Sequence, residues 1–289
     1  MSALPGPATP TKTFSFPSKT ETLYAEWFAP TADARGLAVI VHGYAEHCGR
    51  YREVANVLAA GGWATLSFDV RGHGQSTGKR GHITRFTEYI DDLDAAWAAA
   101  KGAATASKLP TDRRVIVAHS NGSLITLRAM TDAFRKVDVA AAVVASPFLG
   151  LRLPVSGARK MLARVASKIA PAFAQANQLR VEDLTKDTAK QAERAADKLC
   201  HSVATARWFT EAMAAQDHVH EYAARVSKPT LWLVGGDDPI ADPSRSRAVA
   251  DRIGKTATYH HLAGLRHEVF NEVERGDVFA TMRDYLADV

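Results

Sequence analysis

The sequence predicts an α/β chain built on a mostly parallel sheet with helices on both faces, and three observations predict it. Short apolar runs of strand length alternate with stretches of helical spacing along most of the chain. The β-branched run at residues 115–118 passes through a polar turn at Ser120 straight into a helical stretch that begins at Leu124. The alternation lapses between Gly150 and about Tyr222, as an insertion between two strands would make it, and then resumes.

Residues 13–16 and 22–28 read as two antiparallel strands, with 17–20 as their turn. Residues 37–41 are apolar without interruption, as a strand covered on both faces must be, and lead into His42-Gly43-Tyr44-Ala45-Glu46-His47. A helix over 51–60 stops at Gly61-Gly62. A strand over 63–68 ends at Asp69 and the glycine-rich turn 71–76, and a long helix follows at 86–106. After the strand at 115–118 a helix spans 124–134, carrying Leu124 and Leu127, and a strand over 139–145 ends at Ser146-Pro147. Beyond the lapse come a strand at 230–234 ending in Gly235-Gly236-Asp237-Asp238, a helix at 244–253, a strand at 258–262 that leads to His267, and a closing helix at 277–286. About eight strands result. The core is expected from 1–149 and 223–289, with a helical cap at 150–222 whose helices fall near 156–169, 186–199 and 204–215.

With 289 residues and 46% hydrophobic content, the chain suits one large α/β domain with an insertion. A net charge of +5 is too diffuse to argue for nucleic acid, so no nucleic-acid partner is expected. No apolar run approaches membrane-spanning length, and the first thirty residues lack a charged start followed by an apolar core. Two cysteines, Cys48 and Cys200, exclude a disulfide scaffold and point to a reducing cytoplasm. A regulatory disulfide between them is the competing reading.

In an open α/β sheet the site lies beyond the carboxyl ends of the strands. Four strand ends carry chemistry here: His42-Gly43-Tyr44, Ser120, Asp238 and His267, and the order Ser, Asp, His is that of a nucleophilic hydrolase of this topology. A serine hydroxyl needs a base near neutral pKa, and the imidazole needs a carboxylate to fix its tautomer. Ser120 is the candidate nucleophile, set in A-x-S-x-G rather than G-x-S-x-G, with small neighbours Ala118 and Gly122 to admit the sharp turn. The oxyanion of a tetrahedral intermediate needs prearranged N–H donors, for which Asn121 at a helix start and Tyr44 in the first loop are the candidates. Asp237 competes with Asp238 for the acid, one residue away and pointing elsewhere.

Two motifs then carry a resemblance. V-H-G-Y-A-E-H-C-G-R-Y (residues 41–51) resembles H-G-x-x-E-H-x-x-R-Y, and F-D-V-R-G-H-G-Q-S-T-G-K-R-G (68–81) resembles D-x-R-G-H-G-x-S-x-G-x-R-G. Both belong to the monoacylglycerol lipase and lysophospholipase group of serine α/β-hydrolases, which is serine aminopeptidase S33-like. The resemblance runs from Leu23 to the C-terminus and is weakest in the cap. It implies the α/β-hydrolase fold, with Ser120 as nucleophile, Asp238 rather than Asp237 as acid, His267 as base, and the Tyr44 and Asn121 backbones as oxyanion donors. His119, Tyr44 and Phe148 are the residues expected to bind substrate. Ala118, Asn121 and Ser123 depart from the group's usual elbow and bear on substrate preference more than on reaction type.

The implied reaction is hydrolysis of a carboxylic ester through an acyl-enzyme, with a single-chain lipid ester such as a monoacylglycerol as substrate. Lysophospholipids and short-chain esters compete, an acyltransferase uses the same intermediate, and a ligand-binding receptor on this scaffold is the remaining class. No cofactor and no metal are expected. His267-Glu268 begins like H-E-x-x-H, but Asn271 occupies the second histidine position; His218 and His220 read as a solvated helix face, and His260 and His261 as strand residues. The turn 71–76 lacks G-x-G-x-x-G spacing and should shape the loop behind the site, while Glu46, His47 and Arg50 read as a structural polar cluster beneath the oxyanion loop. Residues 139–181 hold no acid but six basic residues, of which Lys160, Arg164 and Lys168 share a helix face, with Met161, Leu162, Val165 and Ile169 on another. Such a helix docks on anionic membrane, against the plainer reading of a solvated face on a helix packed on the core. No sequence signal bears on oligomeric state.

Overall fold

The computed structural model describes residues 6–134, 137–152, 155–177 and 179–289. The chain opens with an antiparallel pair, β1 (Lys12–Ser18) and β2 (Glu21–Phe28). Then follow β3 (Gly36–Val41), α1 (Arg52–Ala60), β4 (Trp63–Phe68), α2 (Thr87–Ala106), β5 (Arg114–His119), α3 (Asn121–Met130) and β6 (Ala141–Ala145). The chain leaves the sheet for α4 (Gly157–Ile169), β7 (Ala174–Ala176), α5 (Val181–Leu184), α6 (Thr188–Ala196), β8 (Val203–Thr205) and α7 (Ala206–Tyr222). It returns with β9 (Thr230–Gly235), α8 (Pro243–Ile253), β10 (Ala257–Leu262) and α9 (Arg275–Ala287).

The eight-stranded sheet has the order β1-β2-β4-β3-β5-β6-β9-β10. β2 pairs antiparallel with β1 and β4, and every other pairing is parallel. This is the α/β-hydrolase fold, and it puts β3 and β5, whose ends carry Gly43 and Ser120, side by side in the centre. The apolar runs of these strands are continuous because each face has its own core. Leu37, Val39, Val41, Ile116 and Ala118 meet α2 and α3 on one side; Ala38, Ile40, Val115 and Val117 meet α1 and α9 on the other. Burying each of the larger of these side chains contributes about 1.5–3 kcal/mol.

The segment between β6 and β9 differs from the all-helical expectation. Ala174–Ala176 and Val203–Thr205 pair as a short antiparallel ribbon, each strand of three residues too brief to show in the sequence. The helix expected over 186–199 is the shorter α6, which Asp187 starts by capping Ala189 N–H (3.0 Å) and Lys190 N–H (3.2 Å) and which ends at Ala196, while the short α5 lies before the expected range. α7 runs to Tyr222 instead of ending near 215. His218 and His220 on it are partly buried, not solvated, and His220 Nε2 donates to the Leu149 carbonyl at 2.9 Å.

α4 packs on α7 through its small side chains. Ser167 is buried and its hydroxyl meets Thr210 Oγ1 at 2.8 Å, while Met161, Leu162, Val165 and Ile169 all face outward, Ile169 with 79% of its surface exposed. The apolar stripe is therefore not the packed face of the helix. The side chains of Arg159 and Lys160, two of the basic residues read onto this helix, lie outside the described residues. No helix among the described residues is long and apolar enough to cross a membrane.

Candidate active site

Ser120 stands between β5 and α3 with φ 50° and ψ −113°, a backbone region that a side chain disfavours. Neighbouring strands hold it there: its N–H donates to the Ala145 carbonyl (2.9 Å), and its own carbonyl accepts from Leu124 N–H (3.1 Å) and Phe148 N–H (3.1 Å). The elbow is possible because α3 lies against the end of β3. A Cβ on Gly122 would fall 2.1 Å from the Val41 carbonyl oxygen, so no side chain fits. Gly43 is equally confined, its missing Cβ lying 2.5 Å from Glu46 Oε1 and 3.3 Å from Ser120 Cβ.

The three strand ends that the sequence singled out meet. Ser120 Oγ lies 2.8 Å from His267 Nε2, and His267 Nδ1 lies 2.7 Å from Asp238 Oδ2. Asp238 Oδ1 accepts from Ile240 N–H (2.8 Å) and Ala241 N–H (2.9 Å), which fixes the carboxylate. Asp237 is exposed and does not reach the histidine. All three groups are buried, and His267 feels the result. Burial alone would depress its pKa, but the charge and hydrogen bond of Asp238, then the charges of Glu268 and Glu46, outweigh burial and raise it above the ordinary 6.5.

Of the two expected oxyanion donors, Asn121 N–H opens α3 and has no intrahelical acceptor, and the Tyr44 backbone follows Gly43 beside Ser120. The Tyr44 ring is committed to the inserted segment: it stacks on Trp208 (3.7 Å between centroids), and its hydroxyl donates to the Val203 carbonyl at 2.7 Å. Phe148 also stacks on Trp208, at 6.3 Å, half-buried next to the elbow. His119 departs from its expected role as a substrate contact. It is buried, and both ring nitrogens are engaged within the protein, Nδ1 with Glu46 Oε1 (3.3 Å) and Nε2 with the His267 carbonyl (3.1 Å).

Glu46 is the group that the sequence reading undervalued. Its Oε1 accepts from Gly43 N–H (2.6 Å) and Tyr51 O–H (2.6 Å), besides facing His119, and its Oε2 faces Arg50 Nε at 3.2 Å. Arg50 in turn reaches Glu268 at 2.5 Å. One buried carboxylate thus ties the loop after β3 to the strand end of the nucleophile, through Gly43 N–H and the His119 ring. Burial pushes the Glu46 pKa up, but the His119 hydrogen bond and the Arg50 charge hold it well below the usual carboxylate value. The signal was present as E-x-x-x-R-Y directly after H-G-Y-A, a carboxylate too close to the oxyanion loop to be a surface group.

The turn 71–76 shapes the loop from behind, as its composition suggested. Asp69 accepts from Cys48 N–H and Gln75 N–H, both at 2.7 Å, and Arg71 forks onto Asp92 at 2.9 and 2.7 Å. Among the described residues, the one grouping of potential metal ligands is His47, Asp197 and Cys200, whose donor atoms lie within 4.8 Å of one another. It is already satisfied without an ion. His47 Nδ1 accepts from Gly49 N–H (3.2 Å), so Nε2 carries the proton and donates to Asp197 Oδ2 at 2.6 Å. Both Cys48 and Cys200 are free thiols.

A family model described as serine aminopeptidase, S33, matches residues 32–274. The chain is 31% identical over 255 residues to a monoacylglycerol lipase of Mycolicibacterium smegmatis, covering 88% of each. It is 28% identical over 251 residues to a phospholipase of Bacillus subtilis, covering 86% of this chain and 94% of that one. The crystal structure of a monoacylglycerol lipase from Paleococcus ferrophilus superposes with a TM-score of 0.82 at 26% identity, over 92% of this chain and 98% of its own. A soluble variant of the Saccharomyces cerevisiae monoglyceride lipase, in complex with a substrate analogue, superposes with a TM-score of 0.85 over 96% of both chains; at 19% identity this likeness concerns the fold.

Proposed function

The chain belongs to the serine aminopeptidase S33 family, and from that premise we propose that it is a monoacylglycerol lipase, a carboxylic ester hydrolase working through Ser120, His267 and Asp238. The observation that carries this reading is the unbroken Ser120–His267–Asp238 hydrogen-bond chain on a strained elbow. His267 Nε2 takes the Ser120 proton as Oγ attacks the ester carbonyl, and Asp238 stabilises the imidazolium that forms. The N–H groups of Tyr44 and Asn121 take the oxyanion. The intermediate collapses to an acyl-Ser120 enzyme as His267 protonates the departing glycerol oxygen. The same histidine then activates water, and the fatty acid leaves.

Residues 150–222 act in this reading as a cap, with Trp208 on α7 joining Tyr44 and Phe148 into an aromatic wall over the site. The exposed Met161, Leu162, Val165 and Ile169, beside the exposed cations Arg164 and Lys168, suit peripheral contact with an anionic membrane, where a monoacylglycerol resides. The free thiols fit a cytoplasmic setting. The test is turnover of an ester panel, monoacylglycerols, lysophosphatidylcholine and aryl esters, each at short and long chain length. A maximum kcat/KM on long-chain glycerol esters is expected; activity confined to short esters would retain the chemistry and remove the lipid assignment.

A further inference from the structure

We infer that Arg194, on α6 of the inserted segment, is a positioning residue for the reaction: it holds the oxyanion loop through the Ala45 carbonyl, and the Tyr44 N–H is set for the oxyanion only while that bond is made. The inference rests on the ester hydrolysis reading above and adds to it a group from outside the core.

The loop after β3 is held from two sides. The core holds Gly43 and Glu46. Gly43 N–H donates to Glu46 Oε1 (2.6 Å), and the Gly43 carbonyl, which shares a peptide unit with the Tyr44 N–H, lies 2.7 Å from His42 Nδ1. His42 Nε2 accepts from Val70 N–H (3.0 Å), so Nδ1 carries the proton and donates to that carbonyl. The inserted segment holds the residues between and beyond. The Tyr44 hydroxyl donates to the Val203 carbonyl (2.7 Å), and His47 Nε2 donates to Asp197 Oδ2 (2.6 Å). The Ala45 carbonyl accepts twice, from Arg194 Nη2 (2.9 Å) and from His201 N–H (3.1 Å).

Ala45 is the strained point of the loop. It is buried, and its φ of 64° is a left-handed conformation that a side chain disfavours. A residue other than glycine stays there only where its surroundings over-determine it. Among the described residues, both donors to its carbonyl come from the inserted segment. Relaxation of Ala45 turns the peptide units on either side of it, and Tyr44, the proposed oxyanion donor, is its immediate neighbour. Of the two donors Arg194 brings the charge, and charge-assisted bonds are the stronger kind. Its Nε has no hydrogen-bond partner, so Ala45 is where the guanidinium is committed. One turn earlier on the same face of α6, Lys190 donates to Glu53 Oε1 (2.7 Å), and before the helix Asp187 accepts from Arg275 Nη1 (3.0 Å). These ion pairs seat α6 on α1 and α9 without touching the loop, and Arg194 reaches from that seat to Ala45.

The experiment measures kcat and KM on a soluble ester for the wild type, Arg194→Met, Arg194→Lys and Lys190→Met. It also measures the affinity of each for a trifluoromethyl ketone of the same acyl chain and for the matching secondary alcohol. Ser120 Oγ adds to the ketone carbon as its proton passes to His267, which leaves an oxyanion facing the Tyr44 and Asn121 N–H groups; the alcohol fills the same space without one. Arg194→Met is expected to lower kcat about tenfold with KM within about twofold, part of the roughly 10²–10³-fold loss that follows removal of a whole donor. Its affinity for the ketone should fall by the same factor, and its affinity for the alcohol should not change. Arg194→Lys, which returns a charged donor, should recover most of the loss. Lys190→Met removes an ion pair of the same helix and leaves Ala45 alone, so its Tm should fall while kcat stays at the wild-type value. Wild-type kcat in Arg194→Met overturns the positioning role. Equal weakening of ketone and alcohol, or the same loss of kcat in Lys190→Met, also overturns it and assigns the effect to the stability of the inserted segment. A wild type that neither turns over esters nor binds the ketone overturns the hydrolase reading, and this inference with it.

Discussion

Replacing Glu46 by glutamine keeps the shape of the side chain and removes its charge. Oε1 now accepts three hydrogen bonds, from Gly43 N–H, Tyr51 O–H and His119 Nδ1, and Oε2 faces Arg50. Bonds to an ionised group contribute about 1.5–3 kcal/mol each against about 0.5–1.5 for neutral ones, so the three together weaken by about 3 kcal/mol. Breaking a buried ion pair on one side costs about 3–5 kcal/mol by itself. Arg50 keeps Glu268, which points to the lower end, about 3 kcal/mol, or a fall in Tm of about 5 °C. Because Gly43 precedes the proposed donor Tyr44, kcat should fall about tenfold or more with KM little changed, a fraction of the loss of an entire oxyanion donor. Calorimetry and kcat/KM on a soluble ester read both effects. An Asp variant that recovers stability without recovering kcat would separate the charge from the placement of the loop. A Glu46→Gln protein with wild-type Tm and kcat would refute the reasoning. The pH dependence has a definite sign: a carboxylate held below its ordinary 4.5 contributes stability above that value and loses it as pH falls through the lower folded pKa.

Asp238→Asn removes the two largest influences that raise the His267 pKa, so the acidic limb of kcat/KM should move to lower pH while kcat falls about 10³–10⁴-fold; an unmoved limb would contradict the pairing. In the wild type that limb lies above pH 6.5, since His267 must be neutral to act, whereas the stability from its raised pKa is complete below pH 6.5 and fades as pH rises through the folded value. Gly122→Ala drives a Cβ to 2.1 Å from the Val41 carbonyl and should destabilise by about 1–3 kcal/mol or more, read by urea unfolding. Leu162→Glu with Ile169→Glu should cut binding to anionic vesicles about tenfold or more in a sedimentation assay, each full apolar burial contributing about 1.5–3 kcal/mol. Wild-type binding to neutral vesicles equal to that to anionic ones would remove the basic residues from the account.

The sheet was legible because its strands are covered on both faces and therefore read as unbroken apolar runs, and because each ends in residues that a strand cannot use. Ser120, Asp238 and His267 announced themselves by lying where such runs stop. Residues 174–176 and 203–205 did not, since a run of three residues makes a strand only when a partner strand is already there. The outward stripe on α4 was legible as a pattern but not in direction. Periodicity gives a helix two faces, and which of them packs depends on the small residues Ala163, Ala166 and Ser167 finding α7. His119 was misplaced for a related reason. Its position beside the nucleophile suggested a substrate contact, but alternation along β5 sends its ring toward Glu46, a partner 73 residues away that only the β3–β5 pairing brings near.

The central claim, that an acyl group passes through Ser120, is tested most directly by incubating the protein with a slowly turned-over aryl ester, quenching in acid and measuring intact and peptide masses. The wild type should gain one acyl group, carried on the peptide that contains Ser120, and the gain should vanish in Ser120→Ala. An acyl group on another residue, or ester turnover by Ser120→Ala at the wild-type rate, would contradict it.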